Sequence, residues 1–251
     1  MAEEAQRDDE GTRRSLSELR IAVVREIATG LTGVPAEGVP ARLCHALLNL
    51  LPVTGLALNL TAEGIYTTTL CATDATATRL ADIQFTLGEG PGVRAAEVFA
   101  PVLAPDLAGD GRRWPLFVPQ ALQTGARAMY SVPLGNSTVV IGTLDLYRDT
   151  AGRLAPADLA AAVLAADATT AILAGLDHGR ASDEGVASWL HGAEEGHNEV
   201  YQAAGMLMAR LGVKADEALL LLRARAFREG RTATEVARDV VHRRIDFDEN
   251  D

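Results

Sequence analysis

Three short apolar stripes, crowded together near the C-terminal end, constrain this chain more than any other feature. Val200, Ala203, Ala204, Leu207, Met208 and Leu211 recur at helical spacing, and Gly212 follows in the position where glycine commonly ends a helix. Asp216 and Glu217 open a second stripe, where negative charge suits the positive end of a helix. It runs through Ala218, Leu219, Leu222, Ala226 and Phe227 to Gly230. A third begins at Thr232, where Thr-Ala-Thr-Glu reads as a capping box closed by Glu235. It carries Val236, Ala237, Val240, Val241 and Ile245. Each helix has one apolar face and none can bury it alone, so residues 199–247 are expected to pack as a three-helix module.

Upstream the periodicity changes. Leu16 to Leu31 and Leu43 to Leu51 follow helical spacing, and Val53–Leu60 and Ile65–Ala72 then read as a hairpin turning at Glu63 and Gly64. A second hairpin joins Ala128–Leu134 to Val139–Tyr147 through Gly135, Asn136 and Ser137. Between the hairpins lie a glycine-rich turn at 88–92, a short helix, a strand-like Pro101–Leu103 and a helix over Trp114–Gln123. This order predicts an α+β fold: an antiparallel sheet with helices packed on one face, then a long helix from Pro156 to about Leu176. The expected divisions are a disordered tail at 1–15, a sheet domain with flanking helices at 16–176, a linker or helical connector at 177–198, the helical module at 199–247, and an acidic tail at 248–251.

Charge narrows the functional classes. The chain carries a formal net charge of -11. Nine basic against seven acidic residues leave the 199–247 module at +2, so -13 falls on the rest. Any polyanion site therefore belongs at the C-terminal end. No leader-type apolar segment opens the chain and no apolar run long enough to span a bilayer is evident, so a cytoplasmic protein with no membrane partner is expected. Cys44 and Cys71 have no CxxC spacing or ligand cluster and are read as core thiols.

Catalytic and metal motifs are missing. Leu-Gly-Glu-Gly-Pro-Gly at 87–92 lacks the Lys-Ser/Thr ending of a phosphate loop, and Pro91 has no amide to donate; it reads as a structural turn. His45, His178, His191, His197 and His242 form no metal-spaced set. Asp74, Asp82, Asp106, Asp145 and Asp158 carry no pattern that requires them to meet. The expectation is a regulator, neither an enzyme nor a carrier of a metal or cofactor.

Residues 201–213, Tyr-Gln-Ala-Ala-Gly-Met-Leu-Met-Ala-Arg-Leu-Gly-Val, followed by Asp-Glu-Ala, Leu-Leu-Arg-Ala-Arg-Ala and Glu-Val-Ala-Arg-Asp-Val-Val, resemble the ANTAR domain of transcription antitermination regulators. Many members have Lys where this chain has Ala204. Leu-Gly-Glu-Gly-Pro-Gly, Arg-Trp-Pro at 113–115, Ser-Val-Pro-Leu at 131–134 and Ile-Gly-Thr-Leu-Asp-Leu-Tyr at 141–147 look like the GAF domain of actinobacterial GAF-ANTAR proteins. Relatives often carry Cys at the position of Gly92.

The resemblance implies a GAF-like sensory domain controlling a dimeric ANTAR module that grips stem-loops in nascent mRNA and prevents terminator formation. From polarity and helix face, Gln202, Arg210, Arg223, Arg225, Arg228, Arg238, Arg243 and Arg244 are the residues chosen for phosphate or loop-base contact. Ala203, Gly205 and Leu222 are assigned to packing, with Gly205 permitting close helix approach. A small apolar or amphipathic ligand is expected between sheet and helices, near Ala57, Leu70, Met129 and Leu144. The competing reading is a ligand-sensing regulator whose three-helix end binds DNA or a protein.

Overall fold

The two expected hairpins share one sheet. A computed structural model describes residues 2–35, 38–62, 66–135, 139–178 and 198–247. The five antiparallel strands run in the order β2 (Tyr66–Ala72), β1 (Gly55–Ala62), β5 (Val140–Arg148), β4 (Ala128–Gly135) and β3 (Val102–Ala104). Glu63, Gly64, Asn136 and Ser137, the expected turn residues, lie outside the described residues, as does most of the expected connector, 179–197.

Side chains alternate across a strand, so each strand feeds two different cores. Leu56, Leu58, Leu70, Tyr130, Val132, Leu144 and Leu146 point to one side. There they meet α1 (Ala2–Leu31), α2 (Val39–Leu50) and α6 (Pro156–His178). Ala57, Ala104, Met129 and Tyr147 point to the other, against α3 (Ala75–Leu87), α4 (Pro91–Val98) and α5 (Phe117–Gln123). Helices on one face only was therefore the wrong expectation: both faces are covered. Helix α3, which no clear periodicity in the sequence predicts, starts where the Asp74 carboxylate accepts from the Ala77 amide at 2.8 Å, and ends at Gly88 in the left-handed conformation.

Three further corrections concern the first side of the sheet. Backbone helix begins at Ala2, so residues 2–15 belong to α1 and are not the expected disordered tail; Ala, Glu, Gln and Arg, all good helix formers, make up most of them. Cys44 on α2 and Cys71 on β2 form a disulfide, 27 residues apart in sequence and 6.4 Å between Cα atoms. Packing of α2 against β2 brings them together, which spacing alone does not reveal. Pro156–Gly175 is also long and apolar enough, by length and composition, to cross a membrane. Ala162, Ala165, Thr169 and Leu173 of this helix are buried in the fold, and Val163, Leu164 and Ile172 pack partly buried against the same core.

The C-terminal module is the expected one: α7 (Asn198–Leu211), α8 (Ala215–Glu229) and α9 (Ala233–Val241) pack through Val200, Ala203, Leu207, Leu222, Val236 and Val240. The capping box is present, with Glu235 N–H donating to Thr232 Oγ1 and Thr232 N–H to Glu235 Oε2. Phe85 of α3, only 3% exposed, belongs to this core and not to that of its own domain.

Candidate functional site

One end of the α3–α4 side of the sheet is polar. Asn59, Ser131, Thr143 and Asp145 are all buried at inward positions where an apolar side chain is the norm. The ladder places them side by side: Asn59 pairs with Thr143, and Ser131 with Asp145. Asn59 Nδ2 and Gln84 Nε2 both donate to Asp145 Oδ2, at 3.0 and 2.8 Å. Gln84 Oε1 in turn accepts from the Gly92 amide at 2.7 Å, and Thr69 donates to Asn59 Oδ1. Among the described residues, Asp145 Oδ1 and Ser131 Oγ are buried without a hydrogen-bond partner. A cavity of about 30 Å³ opens beside them, lined by Asn59, Gln84, Phe85, Gly92, Thr143 and Asp145 among others.

Burial pushes the Asp145 carboxyl above its usual range, against the pull of Ser131, Gln84, Thr143 and Asn59 in the other direction. A raised folded-state pKa means that stability is fully present below the unfolded value and is lost as pH rises through the folded one. Asp145→Asn keeps an oxygen for both amide donors and removes the charge. It is expected to stabilise the protein at neutral pH by about 1–2 kcal/mol, or roughly 3–6 °C in Tm, with the gain fading as pH falls toward the ordinary carboxylate range. Thermal melts across that range would refute this if the two proteins keep a constant difference.

The four residues expected to line a ligand pocket do not come together. Ala57 and Met129 face α3 and α5, whereas Leu70 and Leu144 face α1, α2 and α6 through the opposite side of the sheet. All four are packed into cores. The error is one residue of register on β5, where Leu144 points away from the cavity that Asp145 enters. Asn59, Thr143 and Asp145 alternate with Leu58, Leu60, Leu144 and Leu146, a pattern that reads as a solvent-facing edge of the strands, so the sequence alone does not mark them as buried.

The glycine-rich turn leads into α4, and its last residue, Gly92, lines the cavity beside Asp145. Gly90, at φ 144°, begins α4, and the Glu89 carboxylate accepts from the Leu116 and Phe117 amides at the start of α5. The five aspartates do not meet. Asp74 and Asp106 cap helices, Asp82 reaches the C-terminal module, and Asp145 is surrounded by amides and hydroxyls.

The eight residues chosen for RNA contact are spread over the module. Gln202, Arg228 and Arg243 are exposed. Arg210 pairs with Asp246 at 2.5 Å, Arg238 with Glu199 at 3.1 Å, Arg244 with Asp239 at 3.2 Å, and Arg225 with Glu229. Arg225 beside Glu229, and Arg231 beside Asp239, hold both carboxyls below their ordinary range. Arg223 is half-buried over the Phe85 ring, 4.6 Å from its centre. Arg210 and Arg243 share the rim of a surface cleft of about 460 Å³ floored by Leu207, Val240 and Phe247. Ala203 and Leu222 are core residues as expected. Gly205 is not: a Cβ there meets nothing within 4 Å, so close helix approach is not its role within the described residues.

The described residues thus comprise a sheet domain with a buried polar cluster and a small arginine-bearing helical module. Residues 190–241 match the ANTAR domain, covering the module's three helices and starting within the segment outside the described residues. A comparison with curated proteins gives no match. Solved structures similar to the sheet domain include the GAF domain of a phosphoenolpyruvate-protein phosphotransferase from Acinetobacter, at 12% identity over 66% of this chain and 96% of that one, with a TM-score of 0.48. Another is the GAF domain of a phosphoenolpyruvate-protein phosphotransferase from Coxiella burnetii, at 17% identity over 64% and 96%, with a TM-score of 0.44. A free methionine-R-sulfoxide reductase from Neisseria meningitidis, solved with its substrate, is similar at 12% identity over 62% and 88%, with a TM-score of 0.44.

Proposed function

We propose that this chain is a cytoplasmic RNA-binding antitermination regulator, in which the sheet domain is a GAF-like sensor and the C-terminal module grips stem-loops of a nascent transcript. The observation that carries the reading is the ANTAR match over a module whose arginines lie mostly at its surface. At a net charge of +2 one module binds RNA weakly, so two copies acting together are part of the reading. Helix α1 offers a face for pairing, with Ile21 and Val24 exposed to 64% and 49% one turn apart. The sensory site is the polar cluster around Asp145, whose cavity of about 30 Å³ has room for roughly one water, so a small molecule that donates hydrogen bonds to Asp145 enters only as the cavity opens. No catalytic step is assigned to it.

Arg228→Ala with Arg243→Ala is expected to weaken binding of a tandem stem-loop RNA about tenfold and to flatten the salt dependence by roughly one unit of slope per lost phosphate contact. Gel shifts at several salt concentrations check this. Preference of the wild-type protein for duplex DNA would overturn the RNA reading in favour of the DNA-binding alternative.

A further inference from the structure

Helix α3 belongs to the sheet domain, yet one of its faces is given over to the C-terminal module. Arg79 Nη1 lies 3.0 Å from Glu235 Oε1, and Thr234 Oγ1 donates to Asp82 Oδ1 at 3.1 Å. Phe85 enters the module's core with Arg223 stacked on its ring. The amide of Ala233 donates to Thr86 Oγ1 at 2.8 Å. That last bond is informative, because the first amides of a helix have no partner within it. The capping box accounts for the amides of Thr232 and Glu235; that of Ala233, between them, is satisfied from the other domain. Tyr201 and Thr68 of β2 add a contact beside α3.

The opposite face of α3 carries Gln84, whose amide bridges Asp145 and the Gly92 N–H. Gln84 and Phe85 are neighbours in sequence. Gln84 thus ties the Asp145 cluster to the helix that the module is seated on.

We propose that α3 is a latch, holding the C-terminal module against the sheet domain and keeping it from RNA until a change in the Asp145 cavity shifts the helix. The latch covers Arg223 and the start of α9. The proposal rests on the RNA reading for what is withheld, but the latch itself has a separate readout.

The test uses the full chain, with Thr86→Lys forcing a charged side chain into the contact and Arg79→Glu setting two carboxylates against each other at its exposed edge. Hydrogen exchange at the Ala233 amide reports the latch directly, and fluorescence polarisation with a labelled tandem stem-loop reports the output. The latch is expected to protect Ala233 in the wild type, and both variants to speed its exchange about tenfold or more. They are expected to tighten RNA binding about fivefold or more. Ala233 exchanging freely in the wild type would overturn the latch, as would lost protection with unchanged or weaker RNA affinity. Protection that is lost on schedule, in a chain whose wild type and variants all fail to bind stem-loops, would instead overturn the RNA reading and the inhibitory role with it. Arg79→Glu keeps the test decisive should Thr86→Lys disturb folding, since the Arg79 side chain is 37% exposed at the edge of the contact.

Discussion

Reducing the Cys44–Cys71 bond is expected to lower the melting temperature by roughly 10 °C. A crosslink over 27 residues removes loop-closure entropy from the unfolded chain worth about 3–4 kcal/mol, which in a protein of this size corresponds to a shift of that order. The bond ties α2 to β2 at the rim of a core already dense with Leu43, Leu47 and Leu70, so the folded state should survive its loss. Calorimetry with and without a thiol reductant measures the effect, and a Cys44→Ala, Cys71→Ala double variant should melt with the reduced protein and ignore the reductant. A wild-type transition that does not move on complete reduction would show that the bond contributes nothing. Within a reducing compartment the pair stands as thiols, and the lower value is then the relevant stability.

Gly92→Ala is the second large effect. A Cβ at this position would lie 2.5 Å from Asp145 Oδ2 and 2.8 Å from Oδ1. The carboxylate cannot yield cheaply, because Asn59 and Gln84 both grip Oδ2. The substitution is expected to cost about 2–3 kcal/mol, and a larger residue more. Asp145→Ala should recover part of that loss, so the double variant is more stable than the sum of the single effects predicts. Chemical denaturation of the four proteins closes the cycle. Strict additivity would mean that Gly92 is needed for some reason other than the carboxylate beneath it.

Much of this architecture could be read from residue pattern, for identifiable reasons. The three C-terminal stripes are local signals, each set by spacing and a cap within one helix, and they appear where expected. The four long strands were legible because alternation at β1 and β5 is strong. What escaped was non-local. Helix α3 opens with Ala75, Thr76, Ala77 and Thr78, whose mixed propensities hide its periodicity, and only Asp74 marks its start. The disulfide depends on how α2 lies across β2. The cavity depends on which face of β5 looks toward α3, and a reading centred on Leu144 chose the wrong one. The arginines were found as residues but not as partners: the sequence does not say that Arg223 lies over a ring from another domain, or that four others already face carboxylates.

Phe85 lies within one domain by sequence and within the other by packing, and this bears on how the protein comes apart. With that ring and the Ala233 amide both satisfied across the boundary, neither part can melt without stripping the other. The latched protein should therefore show a single calorimetric peak, with van't Hoff and measured enthalpies in agreement. An unlatched one should show two peaks, the smaller belonging to the three-helix module. The shape of a heating trace would then reveal which state a given sample occupies, before any RNA is added.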